Sequence, residues 1–393
     1  MFTRWPAVRT RKMHCAGFRW DSANSSTPAA KPPWRPRAEA SSSSDLLQWH
    51  SGEAAGPAAV WLVDKPAGIT SHGVLEQIRT TLRLPRHRAA RRDRGGGSGQ
   101  PRVAFKVGHG GTLDPAATGL MVVLLGKATK MMPYFAGHRK TYLTTIRLGV
   151  TSATLDCDSE VTPLTGGVPV AELPDGAVDA VLRGFVGTHC QRVPAFSAVK
   201  VAGRPLYQRA HNGDIPHDTE LPTREVTIYD LVRLDDGNDP KHMTISVTVS
   251  GGTYIRGLAR DIGDVLRCGA ICTSIRRTAV GSLSLDAAVS LSEVTLAQGL
   301  RLADVLDFPS VYVEEADVKH IAHFGKKWRP GYRTRCASRH MRPGQCRLLT
   351  PSGDLVGVGC VDTDGRLSVE MHLLDAPGVG RHVTPPAVGA QRS

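Results

Sequence analysis

The feature that most constrains this chain is the stretch from Lys106 to Lys130, KVGHGGTLDPAATGLMVVLLGKATK. Its glycine run allows the backbone to turn tightly and to approach a ligand closely. Pro115 prevents a regular helix or strand from continuing through Asp114. The apolar run LMVVLL that follows is short, continuous and bounded by glycines, which is typical of a buried strand. The pattern therefore predicts a carboxylate on a rigid loop beside a strand, a common position for a catalytic group.

Two other interpretations fit parts of this stretch. An Asp-Pro pair before an apolar run is also typical of an ordinary turn that leads into the core. The glycines and Gly126-Lys127 suggest a phosphate-binding P-loop, but Ala128 stands where that motif requires Ser or Thr, and the first glycine is misplaced. We reject the P-loop, and the spacing alone does not decide between a structural turn and a catalytic loop.

Several separated blocks of the chain resemble the TruB family of pseudouridine synthases, enzymes that isomerise uridine to pseudouridine in RNA. GHGGTLDPAATG is similar to the catalytic motif of that family, and further blocks follow in the family's order: KPAG, RKTY, RLG, GGTYIRGLARDIGDVLRCGA and SIRRTAVG. Two departures are visible. Gly110 stands where the family commonly has threonine, which bears on the rigidity of the loop. The family usually shows a Thr-Asp-Thr-x-Asp pattern, and here Ala153 stands at the first Asp while Asp156 keeps the second.

The resemblance assigns roles to residues on these blocks. Asp114 is implied to be the catalytic nucleophile, and the ring of Tyr142 is implied to stack on the target base, because a flipped-out base has lost its stacking neighbours. Arg256 is implied to pair with Asp114, and a guanidinium can hold a carboxylate through two parallel hydrogen bonds. The other residues expected around the substrate are Tyr254, which on an extended segment would share a face with Arg256, and Ile275, His109 and Lys65.

For two of these residues the chain by itself also permits an ordinary interpretation. Tyr142 has the setting of a core tyrosine in a strand, and Lys65 that of a surface lysine. The resemblance favours the functional interpretation of Tyr142 and a supporting, non-catalytic role for Lys65. The implied reaction is cleavage of the uracil N-glycosidic bond with the help of Asp114, rotation of the base and rejoining through C5.

No cofactor is implied by this chemistry, whether metal, nucleotide or redox group. The eight cysteines include no Cys-x-x-Cys pair, so a zinc site or a disulfide scaffold is not expected. The closest pair, Cys268 and Cys272, lies in an apolar stretch and is predicted to form buried thiols.

The charge of the chain predicts a polyanionic partner. The formal net charge is +13 and the pI is about 9.6, as expected of a protein that binds nucleic acid. Residues 190–222 resemble the thumb-like segment with which the family grips an RNA stem-loop, although alone they would be interpreted as a helix with a basic face. The cations expected to contact RNA are Lys200, Arg204 and Arg209 in this segment, and Arg276 and Arg277 beyond it.

The expected partner is therefore RNA: the T-arm stem-loop of tRNA, the family's usual target, or an organellar ribosomal RNA or ribosome assembly intermediate. No apolar run approaches the roughly 18 residues of a membrane span, so no membrane partner is expected. We expect the enzyme to act as a monomer. The alternative function is that of an RNA-binding assembly factor or chaperone of an organellar ribosome that retains the fold, but the presence of Asp114, Tyr142 and Arg256 favours an enzyme.

The predicted fold class is α+β. With 393 residues, 41% of them hydrophobic, the chain is long enough for two or three domains. For residues 56–307 the resemblance implies the pseudouridine synthase fold, a mixed, largely antiparallel central sheet flanked by helices. Short strand-like runs separated by turns predict a compact all-β module over 308–375, and Leu355 to Glu370 resembles the end of the small PUA-like RNA-binding domain that follows in the family.

Local patterns predict individual elements of the catalytic domain. A strand is expected at Val60 to Val63, and a helix is expected after Thr70 or Ser71, either of which can cap it. A further helix is expected within 173–186. Alternating Val and Ile predict strands over 223–234 and 243–249.

Three segments are expected to lack regular structure: both ends of the chain and an insertion within the catalytic domain. Residues 1–55 are predicted to be a basic transit peptide or disordered: the first 20 contain five Lys or Arg, no acid and no apolar signal segment. We interpret them as organellar targeting, with mitochondrion favoured over plastid, and a basic arm that binds RNA is the alternative. The basic, Gly-rich insertion over 84–103 is either a phosphate contact or a solvated loop. Residues 376–393 are predicted to be a disordered tail.

Overall fold

The computed structural model describes residues 59–84, 105–214, 220–235, 239–295, 298–324 and 343–373. The predicted transit peptide over 1–55, the insertion beyond Leu84 up to residue 103, and the tail over 376–393 lie outside these residues. No helix within the described ranges is long and apolar enough to cross a membrane.

The described residues form strands and helices in an irregular alternation. The strands are β1 (Ala59–Lys65), β2 (Val107–His109), β3 (Thr118–Leu125), β4 (Lys140–Leu148), β5 (Val150–Thr151), β6 (Thr162–Pro163), β7 (Gly187–Arg192), β8 (Lys200–Val201), β9 (Arg204–Pro205), β10 (Thr223–Arg233), β11 (His242–Val249), β12 (Ala270–Val280), β13 (Leu283–Ser284), β14 (Val289–Ser290), β15 (Leu300–Arg301), β16 (Ser310–Tyr312), β17 (Gly344–Leu349), β18 (Leu355–Val361) and β19 (Leu367–His372). The helices are α1 (Ser71–Thr81), α2 (Met132–Gly137), α3 (Ala177–Gly184), α4 (Leu206–His211), α5 (Ile255–Leu266), α6 (Leu302–Val305) and α7 (Glu315–Phe324).

Most of these strands belong to one mixed sheet. Its order is β14-β1-β3-β12-β4-β11-β10-β7, with β13 beside β12, β15 beside β1 and β2 beside β3. The pairs β1/β14 and β3/β12 are parallel and the remaining pairs are antiparallel. The structure thus confirms the predicted α+β class with a largely antiparallel central sheet, and β1, α1, α3, β10 and β11 lie where the sequence predicts them.

Strand β3 lies inside this sheet with both faces covered. Met121, Val123 and Leu125 pack with α1 on one face. The alternate residues, which include Leu120 and Val122, belong to a second cluster on the opposite face. A strand covered on both faces needs apolar residues at every position, which explains the continuous run LMVVLL. The loop that carries Asp114 enters this strand directly and is anchored to the most buried part of the sheet.

Strands β4 and β11 instead alternate between buried and half-buried residues, because helices cover only one of their faces. That face packs against α3 and α5 and includes Tyr142, together with Leu113 from the Asp114 loop. The residues of the opposite face include threonines paired across the strands: Thr141 with Thr248, and Thr145 with Thr244, through their hydroxyl groups.

The C-terminal residues form a separate sheet of order β16-β17-β18-β19. The prediction of an all-β module is wrong here, because α7 lies between β16 and β17. These two strands are parallel, and parallel neighbours require a long crossover connection that a tight turn cannot provide. Ile321 of α7 is buried against the sheet, and the Tyr134 hydroxyl of the catalytic domain donates to Glu370 Oε2 over 3.1 Å.

The thumb segment is a small hairpin followed by a short helix. Strands β8 and β9 are joined through Ala202 and Gly203, whose φ angles are 50° and 81°. Two residues at positive φ form the tight turn of a hairpin and cannot continue a helix. The interpretation of this segment as one helix with a basic face is therefore wrong, and only Leu206–His211 is helical.

Candidate active site

Asp114 lies on the loop between β2 and β3, and its side chain is 37% exposed. The loop packs closely on α2: a Cβ atom placed on Gly110 would lie 2.5 Å from Phe135 Cβ. The resemblance leads one to expect threonine at this position. Only glycine leaves room for Phe135 as it packs here. The loop also accepts a hydrogen bond from Gly68 N at Pro115 O, 2.9 Å away. The carboxylate is thus presented to solvent from a backbone held on several sides.

Arg256 supplies the expected partner of Asp114. Its Nε donates to Asp114 Oδ2 over 2.9 Å, and the guanidinium is almost fully buried. The predicted two-bond pairing is wrong, because Nη1 donates instead to Thr154 O (2.7 Å) and Nη2 to Phe196 O (3.1 Å). Arg256 also lies in the first turn of α5 rather than on an extended segment, and Tyr254 is the N-cap of that helix.

A second carboxylate shares the same guanidinium. Asp156 Oδ2 lies 3.5 Å from Arg256 Nε, and the residue is buried. Asp156 Oδ1 accepts hydrogen bonds from the Thr154 hydroxyl and from the backbone N–H of Asp158. In the sequence, Asp156 is only the retained acid of a family pattern, with no implied role. The structure makes it a buried counter-charge that holds Arg256 in place while Arg256 holds Asp114.

Lys65 requires a correction. It was expected near the substrate, but it is fully buried, and its Nζ donates to Pro66 O, Pro115 O and Ala117 O over 3.0, 2.9 and 2.6 Å. Burial lowers the pKa of Lys65 from its usual 10.5 to about 8, Asp114 raises it and Arg277 lowers it. Lys65 therefore anchors the backbone on the C-terminal side of Asp114 and is not available to bind RNA.

Arg277 was expected to contact RNA, and this prediction is also wrong. The residue is 1% exposed. Its guanidinium donates to the carbonyls of Leu120, Thr112 and Gly111 over 2.7, 3.4 and 3.1 Å. Arg277 thus holds the backbone on the N-terminal side of Asp114, on the side opposite to the contacts of Lys65.

Ser71 is a further support that sequence reasoning missed. Its hydroxyl donates to Leu113 O and accepts from Leu113 N, both over 2.8 Å, and the residue is buried. Thr70 and Ser71 were equivalent candidates for capping α1. Thr70 is the cap, accepting from Gly73 N, which leaves the Ser71 hydroxyl free to hold the residue immediately before Asp114. The one available signal was the presence of two adjacent hydroxyl residues where a cap needs only one.

The remaining residues expected around the substrate have different surroundings. Tyr142 is 6% exposed and belongs to the same cluster as Leu113, with Ile275 packed against that cluster. His109 is half-buried. Its burial, and to a smaller extent the charge of Arg277, lowers the pKa of His109 below 6.5, so the ring is neutral near pH 7. Tyr254 has the Arg224 guanidinium 5.1 Å from its ring centroid. Base stacking on Tyr142 stays a prediction.

The cations predicted to contact RNA differ in their surroundings. Arg209 forms two hydrogen bonds with Asp214, at 2.7 and 3.1 Å, so it supports the end of α4, and its contact with RNA stays a prediction. Arg276 is partly exposed, and its guanidinium donates to both carboxylate oxygens of Asp64. Lys200 and Arg204 are exposed and form no ion pair within the described residues.

This geometry permits nucleophilic or electrostatic catalysis by Asp114. One oxygen, Oδ2, is fixed by Arg256, while Oδ1 accepts no hydrogen bond from the part of the chain that the structure describes. A held carboxylate with one free oxygen can attack an electrophilic carbon or stabilise positive charge that develops there. Supports on both sides of the loop reduce the reorganisation that such a step requires.

Comparisons with known proteins agree with the family resemblance of the sequence. Residues 101–255 match the family model described as TruB family pseudouridylate synthase, N-terminal domain. The chain is 34% identical over 319 residues to "tRNA pseudouridine synthase B" of Xanthomonas oryzae pv. oryzae, covering 79% of this chain and 92% of that protein. It is 39% identical over 238 residues to the protein of the same name from Desulfotalea psychrophila, covering 59% and 86%.

The fold is similar to that of a solved structure as well. A chain in the crystal structure of a Cbf5-Nop10-Gar1 complex superposes with a TM-score of 0.57 at 22% identity, covering 81% of this chain and 85% of that one. Such low identity carries information on the fold alone, and it confirms the predicted fold class. Because the identity to the Xanthomonas protein exceeds 30% across nearly its whole length, this chain belongs to the TruB family of pseudouridine synthases.

Proposed function

We propose that this protein is a tRNA pseudouridine synthase that isomerises a uridine in the T-arm stem-loop, with Asp114 as nucleophile. The observation that carries the proposal is the half-exposed Asp114 carboxylate, with one oxygen held 2.9 Å from Arg256 Nε and its loop anchored on both sides. The names of the relatives, which are tRNA pseudouridine synthases, support tRNA as the substrate class.

Docking would precede chemistry. Lys200 and Arg204 are exposed on the thumb hairpin and are suited to phosphate contacts, which set affinity and register but carry no base specificity. The target uridine must then leave the stack, which costs a few kcal/mol. Tyr142 and Ile275 lie beside the Asp114 loop and would offset that cost by contact with the extruded base. We assign an additional RNA-binding role to the C-terminal sheet, consistent with its resemblance to a PUA-like domain.

The chemical step is an isomerisation without a co-substrate. The bond between C1′ of the ribose and N1 of uracil breaks with the help of Asp114, the base rotates, and a bond forms between C1′ and C5. The proton on C5 is released and N1 gains one, so atoms and electrons balance. Arg256 keeps Asp114 aimed throughout, because its own position is fixed by two backbone carbonyls and by Asp156.

The test of this function is tritium release. A T-arm stem-loop that carries uridine tritiated at C5 should lose tritium to water when incubated with the purified protein, since C5 gives up its hydrogen when the new bond forms. A matched stem-loop with cytidine at the target position should lose none. If the T-arm RNA is inert while an organellar ribosomal RNA fragment releases tritium, the substrate assignment is wrong and the reaction class is retained.

We further propose that residues 1–55 direct the protein to mitochondria, given their basic, acid-free start. Deletion of residues 1–50 should leave tritium release by the purified enzyme unchanged and should keep the protein in the cytosol. The reciprocal experiment fuses residues 1–50 to a fluorescent protein, which should then enter mitochondria. Loss of activity in the purified truncation would instead identify the segment as an RNA-binding arm, and import into plastids would contradict the choice of organelle.

A further inference from the structure

Helix α4 of the thumb presents an aromatic surface to solvent. Its buried side is formed by Leu206 and Ala210, and Leu206 packs against Val193. Tyr207 and His211 lie on its exposed side. Tyr207 is 39% exposed, although the helix that carries it is anchored in a small core. Exposed aromatic side chains beside a functional site often mark a binding surface.

These two residues form a cluster with Phe196. The ring centroids of Phe196 and His211 are 5.6 Å apart, and those of Tyr207 and His211 are 6.3 Å apart, both in edge-on arrangements. We call Phe196, Tyr207 and His211 the thumb aromatic patch. Edge-on contacts between aromatic rings are favourable, so the three rings form one continuous cluster.

The thumb aromatic patch is joined directly to the active site. The carbonyl oxygen of Phe196 accepts from Arg256 Nη2 over 3.1 Å, and the same Arg256 holds Asp114. The backbone N–H of Tyr207 donates to Ser197 O over 2.9 Å, which links α4 to the residue that follows Phe196. A ligand on the patch would therefore lie next to the nucleotide that reacts with Asp114.

Two further observations favour a nucleic-acid ligand. Lys200 and Arg204, on the hairpin immediately before α4, are exposed and form no ion pair within the described residues, so their charges are available to phosphates. The hydroxyl of Ser197, the residue after Phe196, is buried and has no hydrogen-bond partner in the described part of the chain. A buried hydroxyl usually has a partner, so this segment has a polar group left to be satisfied when a ligand binds.

We propose that the thumb aromatic patch stacks on an unpaired RNA base that neighbours the isomerised uridine. Extrusion of that uridine leaves the adjacent base without a stacking partner on one side, and an aromatic face replaces it for any base, because every base has a π face. The proposal rests on the proposed function for the identity of the RNA. In this proposal the patch binds and positions the RNA and takes no part in the chemical step.

The test uses T-arm stem-loops with 2-aminopurine on either side of the target uridine, because stacking on a tyrosine quenches this fluorescent base. Wild-type protein should quench one of the two probes on binding. Tyr207→Ala should lose that quenching and raise Kd about tenfold, within the range known for one base stacked on an aromatic side chain. Tyr207→Phe should behave like wild type. Tyr207→Leu, which keeps apolar bulk for packing but has no π face, should behave like Tyr207→Ala.

The salt dependence of binding separates stacking from disruption of the thumb. Removal of a stacking ring should leave the slope of log Kd against log salt unchanged, since phosphate contacts set that slope. KM should rise while kcat at saturating RNA stays close to wild type. Tyr229→Ala is the matched control: Tyr229 is 40% exposed and lies on β10, and its loss should leave both quenching and Kd unchanged.

Two results would overturn the proposal. One is that Tyr207→Ala shows the same quenching and the same Kd as wild type, which would mean that the patch does not bind RNA. The other is full recovery by Tyr207→Leu, which would mean that Tyr207 only packs within the thumb. Both readouts are equilibrium measurements that do not require turnover. A protein that formed no pseudouridine would refute the proposed function without deciding the stacking.

Discussion

Asp114→Asn is expected to abolish pseudouridine formation, with a loss of more than about 1000-fold in kcat, as is common when a catalytic nucleophile is removed. An amide lacks the negative charge that attacks the sugar or stabilises the charge developing there. Its oxygen can still accept the hydrogen bond from Arg256, so the loop should keep its structure. RNA affinity at fixed salt should change little, because docking depends on contacts spread over the thumb and the basic surface. Tritium release and fluorescence anisotropy measure the two effects.

Asp64→Asn provides a matched control for the loss of a carboxylate. Asp64 is exposed to a similar degree as Asp114 and is also paired with an arginine, Arg276, but it lies at the end of β1, outside the Asp114 loop. This variant should retain kcat within a few-fold. If Asp114→Asn retained activity close to that of wild type, the assignment of Asp114 as nucleophile would be wrong.

A different outcome would favour the assembly-factor function. In that case wild-type protein would be inactive on tRNA and on organellar ribosomal RNA, and depletion of the protein would stall ribosome assembly. If Asp114→Asn then restored assembly as well as wild type did, the fold would serve RNA binding alone.

The second large effect concerns Arg256→Lys. The lysine keeps the positive charge but has one compact ammonium group, which cannot reach Asp114, Thr154 and Phe196 together as the planar guanidinium does. Loss of one charge-assisted hydrogen bond is worth about 1.5–3 kcal/mol, so kcat should fall roughly 10- to 150-fold. RNA affinity should fall much less, because Arg256 is buried and does not face solvent.

Arg260→Lys is the control for this substitution. Arg260 lies one turn further along α5, is similarly buried, and hydrogen-bonds Asp261 and Arg192 O, but it has no contact with Asp114. Equal losses of kcat in the two variants would mean that the effect of Arg256→Lys comes from destabilising α5. A loss of RNA affinity alone would identify Arg256 as a phosphate contact and contradict the pairing.

Local elements of this protein followed from local sequence. The run LMVVLL predicted β3 because a strand covered on both faces must be apolar throughout. The alternation in TISVTVS predicted β11 because only one face of that strand is buried. The Asp114 loop was predicted for the same reason: glycine and proline restrict the backbone wherever they stand, independently of distant residues.

Errors of local prediction arose where a distant contact or the topology decided the outcome. The parallel pairing of β16 and β17 requires a long crossover connection, which contains α7, and no pattern within either strand records which way its neighbour runs. The two-residue turn in the thumb depends on positive φ at Ala202, a conformation that alanine rarely adopts and that its own side chain does not signal.

The sequence by itself predicted that Asp114 and Arg256 form a pair, because the motifs that carry them resemble those of one family, and the structure shows this pair. Only the tertiary structure decided that Lys65, for which the resemblance implied a supporting role, and Arg277 are buried, with their charges on backbone carbonyls and not at the surface. A lysine or arginine has the same sequence signature whether its charge meets solvent or backbone carbonyls. The sheet brings Arg277 to Gly111 and Lys65 to Ala117, residues that are distant from them in the sequence. The burial and the role of each cation are therefore properties of the fold.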